Sequence, residues 1–455
     1  MPYRFKVTLA EATNYCGGQT FSIPLDAEKH GASWLNQGVQ GGSHIYRHTF
    51  HLFSQQGYET SLLNLQVSPG SGNKFWTNVF PTELVEKHQS EIKRFTRVFK
   101  FVRWFEALFV FVPIWLFMKI FFFSDEFTNY MILPSIALFL GTGNATPEVS
   151  TVILERLFIS PTYGMWYPAD PKCLVNHSPP MVVFPNFSKL YGNGRRISNR
   201  GVTELSNVVS RSSSRVDVIF KDNNPGKPSS PETTKHFEEL PEHFDELILC
   251  ILPDTTKRLL DSTIIIREKL VLSQVKFFDG IIITYYDSGY MRKHYTPHSP
   301  ASYHAQTFKP MYYIKLYPSS PSKLEMAFDC TNYQSQFPGN IPFEQHVFQT
   351  IFLNSSRDKH LWDWGNQLCQ THHAFVVPWL WLLNGRRSTM FAGSWTLVNA
   401  HGASVISGLA AAYRLGAAYP EELETQKDGF AQLCFRCYLF HFHGKWYRRG
   451  VGVYV

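Results

Sequence analysis

Residues 391–420 read FAGSWTLVNAHGASVISGLAAAYRLGAAYP, and no other stretch limits the fold of this chain as sharply. Phe391 and Ala392 finish a strand, Gly393, Ser394 and Trp395 turn, and Ser404 to Leu415 carry the pattern of a helix. Ser407, Gly408, Ala410 and Ala411 keep that helix thin, so a neighbouring helix or a flat ligand can come close to its backbone. A helix N-terminus has free N–H groups and a partial positive charge. Those features suit the edge of a ring that becomes negative on reduction, as the isoalloxazine of a flavin does.

A strand-turn-helix unit so close to the C-terminus needs partner strands earlier in the chain. Residues 5–12, FKVTLAEA, read as a short, partly alternating strand ending in acidic Glu11, with Gly17 and Gly18 just beyond. An acidic residue at a strand tip can accept hydrogen bonds from ribose hydroxyls, and nearby glycines let the backbone approach a ligand. Further strands are expected at 216–220 and at 246–252, the second leading into a helix. Strands alternating with helices predict a mostly parallel sheet. Residues 80–160 read as helical and very apolar. Residues 270–355 read as antiparallel sheet, with runs at 280–286, 311–316 and 323–329.

The run LFVFVPIWLFMKIFFF, residues 108–123, is broken by Pro113 and Lys119 and is shorter than a bilayer-spanning helix, which wants about 20 apolar residues. Just before it, Lys93, Arg94, Arg97, Lys100 and Arg103 are threaded among Phe and Trp. Two readings follow: a buried helix pair with a basic solvated face, or a basic aromatic segment (residues 91–123) lying on an anionic membrane surface. Aromatic residues make up 16% of the chain, a share that suggests apolar cavities or such a surface. The net charge of +7 over 455 residues shows no dense Lys/Arg block, which argues against nucleic acid as a partner. Seven scattered cysteines and an N-terminus without an apolar signal core point to a reducing, cytoplasmic setting.

Few other residues suggest chemistry. Cys434 and Cys437 form a lone CxxC without a second ligand pair, so no metal is expected. His372-His373 and His441/His443 read as surface or satisfied histidines. The residues from Arg211 to Arg215 read as a turn between strands, with phosphorylation as the alternative.

Beyond these local readings, the chain resembles fungal proteins of the FAD-dependent, flavin-containing amine oxidase-like superfamily. The segments that carry the resemblance include KVTLAEATNYCGG, NQGVQGGSHIYRHTFHLF, TNVFPTELVE, LFLGTGNATPEVSTVILERLF, MVVFPNFSKLYGN, FDELILC, HVFQTIFLN and FAGSWTLVNAHGASVISGLAAAYRLGA. The resemblance implies an α/β (α+β composite) fold: an FAD-binding, Rossmann-like sheet domain, incomplete at its N-terminus and interrupted by a helical and mixed-sheet substrate domain. It divides the chain into a discontinuous FAD-binding domain (1–75, 196–268 and 376–440), a substrate-binding domain (76–195 and 269–375) and a tail (441–455).

The same resemblance implies FAD as cofactor and hydride transfer from a small hydrophobic organic substrate. Glu11 would bind the adenosine ribose, with Gly17, Gly18 and Thr20 near the pyrophosphate and Gln40, Gly41 and Gly42 near the flavin. Leu205 would meet the adenine through its backbone. Gly393, Ser394, Trp395, Asn399, His401, Gly402 and Ala403 would wrap the isoalloxazine. No catalytic base is identified.

Departures from the family pattern qualify these expectations. Family members open with a strand and a Gly-x-Gly-x-x-Gly loop that cradles the pyrophosphate. Here Met1 falls just before the second strand, and no such loop occurs elsewhere. His401-Gly402 replaces the usual His-Glu, and the segments at 191–200 and 362–367 are shortened. These differences predict a truncated gene model, a spliced variant or a decaying copy with impaired activity, or a non-catalytic remnant of the fold.

Overall fold

The computed structural model describes residues 5–13, 15–43, 46–140, 143–153, 166, 181–192, 203–222, 240–276, 281–295, 308–317, 320–352, 370–426 and 429–449. The predicted segment at 362–367 and the predicted shortening at 193–200 lie outside these residues. The first strands are β1 (Thr20–Pro24), β2 (Trp34–Gly38), β3 (Gly41–Ser43), β4 (Ser61–Leu63), β5 (Val67–Pro69) and β6 (Met181–Val183). Then come β7 (Thr203–Arg211), β8 (Val216–Asp222), β9 (Glu242–Phe244) and β10 (Leu247–Leu249). The last are β11 (Ile281–Tyr285), β12 (Tyr312–Tyr317), β13 (Ser320–Asp329), β14 (Phe348–Phe352) and β15 (Thr389–Phe391).

The largest sheet runs β11-β14-β13-β12-β5 and is antiparallel except at the β12/β5 edge. Its period-2 sequence accounts for its two faces. Ile314, Leu324, Met326 and Ile351 enter one large core, while Tyr313, Ala327 and Phe348 pack on the opposite face with Met291 and Tyr295. The expected antiparallel block is therefore present, with boundaries within a few residues of the predicted runs.

Helix α1 (Arg47–Gln55) follows the β3 turn, and helix α2 (Gln89–Trp104) buries Phe95, Phe99 and Val102 at i, i+4 and i+7 in the large core. Pro113 stops the apolar run, and α3 (Ile114–Ile120) begins immediately after it. Among the described residues no helix is long and apolar enough to cross a membrane.

A second core lies under β7, β8, β10 and β15, and gathers Leu249, Leu260, Phe391, Trp395 and Ala410. Helices α4 (Phe187–Gly192), α5 (His401–Arg414) and α6 (Phe430–His443) complete the elements used below. Inside the second core Arg211 makes a two-pronged bond to Glu268, at 2.8 and 2.6 Å, with both side chains fully buried. Arg211 thus ends β7 as a core ion pair, and Ser212–Ser214 form the turn into β8.

Two expectations fail. Residues 5–12 form no strand; the alternating Phe5, Val7 and Leu9 are 55%, 67% and 36% exposed, with no described strand alongside to accept their ladder. The sheets are also not mostly parallel: among the described strands only β10/β15 and β5/β12 pair in parallel. The β10/β15 pair preserves the expected strand-to-helix crossover in miniature, since β15 leads into α5 and β10 leads into the helix Pro253–Leu260.

Candidate functional site

Helix α5 starts three residues earlier than its small-residue pattern suggests, at His401. Its N-cap, Ala400, has no side chain to bond the first turn, and that turn carries no acidic residue. The N–H groups of Ala403 and Ser404 reach back to the Ala400 carbonyl, at 3.0 and 3.2 Å. Those of His401 and Gly402 come before the first intrahelical bond, so the positive end of the helix is not neutralised from within.

The turn before the helix is fastened to it. Gly393 sits at φ +118, where a side chain would be strained, and its N–H donates to Ser407 Oγ at 2.8 Å. Thr396 Oγ1 donates to the Gly393 carbonyl at 2.7 Å and also meets Tyr438 Oη at 2.6 Å. Side-chain hydrogen bonds therefore tie turn and helix together.

The His401 ring is held from three sides. Nδ1 lies 3.1 Å from Thr49 Oγ1 on α1, and Nε2 lies 2.8 Å from Tyr191 Oη on α4. Phe187 stacks on the ring at 5.9 Å, and Phe53 and Phe184 close the remaining approaches. Burial among these apolar rings lowers the His401 pKa to about 4. The ring is then neutral at physiological pH, with one nitrogen donating and the other accepting.

Tyr191 and a second tyrosine, Tyr46, bring the predicted residues together. Burial pushes the Tyr191 hydroxyl up to about 12, against a hydrogen bond with Thr20 that pulls it down. Thr20 Oγ1 itself donates to the Gly17 carbonyl at 2.5 Å. A Cβ on Gly17 would lie 2.9 Å from Tyr191 Cδ2. A Cβ on Gly42 would lie 2.7 Å from both Tyr46 and Phe184, and one on Gly402 would lie 3.0 Å from Tyr46. Gly17, Thr20, Gly42, His401 and Gly402 thus converge on two aromatic rings, although 17–42 and 401–402 are far apart in sequence.

Other predicted residues have different surroundings. Gln40 is buried; its amide donates to Gln349 Oε1 at 2.7 Å and accepts from Gln334 Nε2 at 3.2 Å, tying the β2–β3 corner to the large sheet. Gly41 is closed in by Tyr333 and the Val182 carbonyl. Gly18 is open, at φ +59. Trp395 and Ala403 are buried, Ser394 and Asn399 half-buried, and Leu205 is partly buried against the second core. Trp395 Nε1 is buried with no hydrogen-bond partner among the described residues. Glu11 stands apart: its carboxylate accepts from the Thr13 N–H and hydroxyl at 3.0 and 2.9 Å.

Sequence reading missed Tyr46, Thr49, Phe184, Phe187 and Tyr191 as site residues. Tyr46 and Tyr191 lie inside the quoted segments NQGVQGGSHIYRHTFHLF and MVVFPNFSKLYGN, so the stretch was flagged while the role was not. The histidine reading needs correction. His372 and His443 are buried, not on the surface, and desolvation holds His372 well below its ordinary value and His443 at about 3. Cys434 and Cys437 lie on α6, and no group of His, Cys, Asp and Glu among the described residues could hold a metal ion.

No family model and no curated protein matches the chain. Solved structures do resemble it across nearly its whole length. Putrescine oxidase bound to putrescine aligns with a TM-score of 0.57 and 11% identity, covering 90% of this chain and 93% of that one. A CLA-producing fatty acid isomerase from P. acnes gives 0.54 and 9%, covering 90% and 92%. Cyclohexylamine oxidase from Brevibacterium oxydans gives 0.52 and 11%, covering 89% and 93%. Likeness at such identities is a likeness of fold.

Proposed function

We propose that the chain is an FAD-dependent oxidoreductase of the amine oxidase-like fold, acting on a small hydrophobic organic substrate, and that its hold on the cofactor is impaired. When bound, the flavin supplies the hydride acceptor, and the protein supplies orientation and charge. The observation that carries this reading is the contact of Tyr191 with His401, which brings the 17–42 region onto the N-terminus of α5. The fold likeness to putrescine oxidase and cyclohexylamine oxidase supports the same class. The aromatic and aliphatic core that described residues between Leu84 and Ile153 form with the large sheet supports an apolar rather than a charged substrate, and the fatty acid isomerase among the fold's relatives agrees with that.

The two ends of the implied cofactor fare differently. At the ring end the residues fit: α5 offers a positive terminus with no side-chain cap, Gly402 adds no side chain to its first turn, and the buried Trp395 Nε1–H has no hydrogen-bond partner among the described residues. Gly393, Trp395, His401, Gly402 and Ala403 are the residues that would hold it there. At the pyrophosphate end they do not fit: Tyr191 covers Gly17, and the Glu11 carboxylate accepts from the Thr13 N–H and hydroxyl.

Titrating the purified full chain with FAD and following quenching of flavin fluorescence tests the proposal. Weak, saturable quenching that is weakened further in Gly402→Ala, with a melting temperature close to that of the unaltered chain, is the expected result. A folded protein that stays colourless and leaves excess FAD unquenched would instead support a non-catalytic remnant of the fold, a reading favoured by the coverage of the glycines by Tyr46 and Tyr191.

A further inference from the structure

The surface of α2 and the segment after it departs from the usual pattern of an amphipathic helix. Opposite the buried Phe95, Phe99 and Val102, the stripe Arg97, Phe101 and Trp104 follows i, i+4, i+7 spacing and faces solvent, and Leu108, in the short helix that follows, is exposed as well. Trp104 is 84% exposed and Phe122 85%, values far from those of core aromatics. Phe105, Phe111, Trp115 and Ile120 are exposed as well, and the Phe101 ring meets Phe105 at 4.8 Å. Isolated apolar residues on a surface need no explanation, but a contiguous patch does.

The patch continues onto a second element distant in sequence. The Phe111 ring meets Phe375 at 6.0 Å. Phe375 in turn lines a groove of about 400 Å³ with Trp379, Leu270, Val271 and Leu382, and Arg267 and Gln274 are its polar lining residues. Trp381 and Ile266 are exposed beside it in sequence. Segments near 100–122, 266–274 and 375–382 thus contribute to one apolar surface.

Charge selects the occupant. Residues 91–123 carry six cations (Lys93, Arg94, Arg97, Lys100, Arg103 and Lys119) against two acids, Glu106 and Glu91, the latter paired with Arg94 at 3.6 Å. Two copies of this face pressed together would oppose like charges, which disfavours a self-interface. No described helix is long and apolar enough to pass through a bilayer. We propose that this face seats the protein on an anionic lipid surface, with the Trp and Phe side chains entering the headgroup region and the Lys and Arg side chains meeting lipid phosphates. The proposal is independent of the flavin reading.

Co-sedimentation of the full chain with phosphatidylcholine vesicles, and with vesicles that also contain phosphatidylserine, tests it. Binding about tenfold stronger to the anionic vesicles and weakened by salt is expected. The exposed triple variant Lys93→Glu, Arg97→Glu, Lys100→Glu should lose that gain. The pair Trp104→Ser with Trp379→Ser should lose binding while keeping the wild-type melting temperature. Absence of binding to either vesicle would overturn the proposal, as would binding unaffected by the tryptophan pair. Self-association, or capture of an acidic protein, abolished by the tryptophan pair in the absence of vesicle binding would assign the face to that partner instead.

Discussion

The Tyr191 hydroxyl lies 2.8 Å from Nε2 of His401, across 210 residues of sequence, and the same hydroxyl is hydrogen-bonded to Thr20. One phenol therefore ties the turn at Gly17, helix α4 and the start of α5. Removing it leaves a buried imidazole nitrogen without a partner. Tyr191→Phe should destabilise the protein by about 1–3 kcal/mol, the range for orphaning a buried polar group. Chemical denaturation would measure the loss. A change below a few tenths would show that the hydroxyl does not join these elements in solution.

Acid should loosen the same region. His401 and His48 are both held near pKa 4 by burial; His48 Nε2 sits 2.9 Å from Tyr419 Oη. Both are neutral in the fold, whereas the unfolded chain takes up protons as pH falls below their ordinary value of 6.5. Their contribution is therefore complete above pH 6.5, is lost between 6.5 and about 4, and changes no further below that. Each could cost up to roughly 3 kcal/mol at pH 4, at 1.36 kcal/mol per pKa unit. Melting temperatures between pH 7 and 4 should fall, and His48→Gln should remove its share of the slope.

Much of the architecture could be read from local pattern because it rests on local pattern. The alternation from 311 to 329 forms strands since each face has its own apolar partner, and Pro113 breaks the 108–123 run because its ring cannot donate a helix hydrogen bond. The small residues of 404–411 likewise marked a helix. What stayed hidden depends on partners distant in sequence. Residues 5–12 alternate as a strand does, yet alternation makes a strand only where another lies alongside. Tyr191 owes its role to Gly17 and His401, and Tyr46 to Gly402 as well as to the nearby Gly42; the partners more than a hundred residues away leave no signal in a single tyrosine of a loop or short helix. Glu11 has the right residue type at the expected place but spends its carboxylate on Thr13.

The Arg211–Glu268 pair offers a test of the second core. Both side chains are fully buried, so deleting one strands the other's charge. Arg211→Met alone should cost about 3–5 kcal/mol, whereas Arg211→Met with Glu268→Leu should come close to wild type. A double-mutant cycle by urea unfolding gives the coupling directly. Additive losses in the double variant would mean that the two residues do not share one buried bond.

The glycines around Tyr46 should respond in a fixed order. A methyl group at Gly42 would stand 2.7 Å from Tyr46 and from Phe184, rings that are packed and cannot both withdraw. At Gly402 the nearest atoms are 3.0 Å away, so Tyr46 needs to give by only a few tenths of an ångström. Gly402 also lies within α5, where alanine is favoured over glycine by about 1 kcal/mol, and that gain offsets the crowding. Gly42→Ala should therefore cost about 1–3 kcal/mol, as overpacking does, while Gly402→Ala should be nearly neutral. Pairing Gly42→Ala with Tyr46→Ala, which removes one of the two obstructing rings, should recover part of the loss relative to Tyr46→Ala alone. Equal losses at Gly42 and Gly402 would mean that Tyr46 does not lie between them.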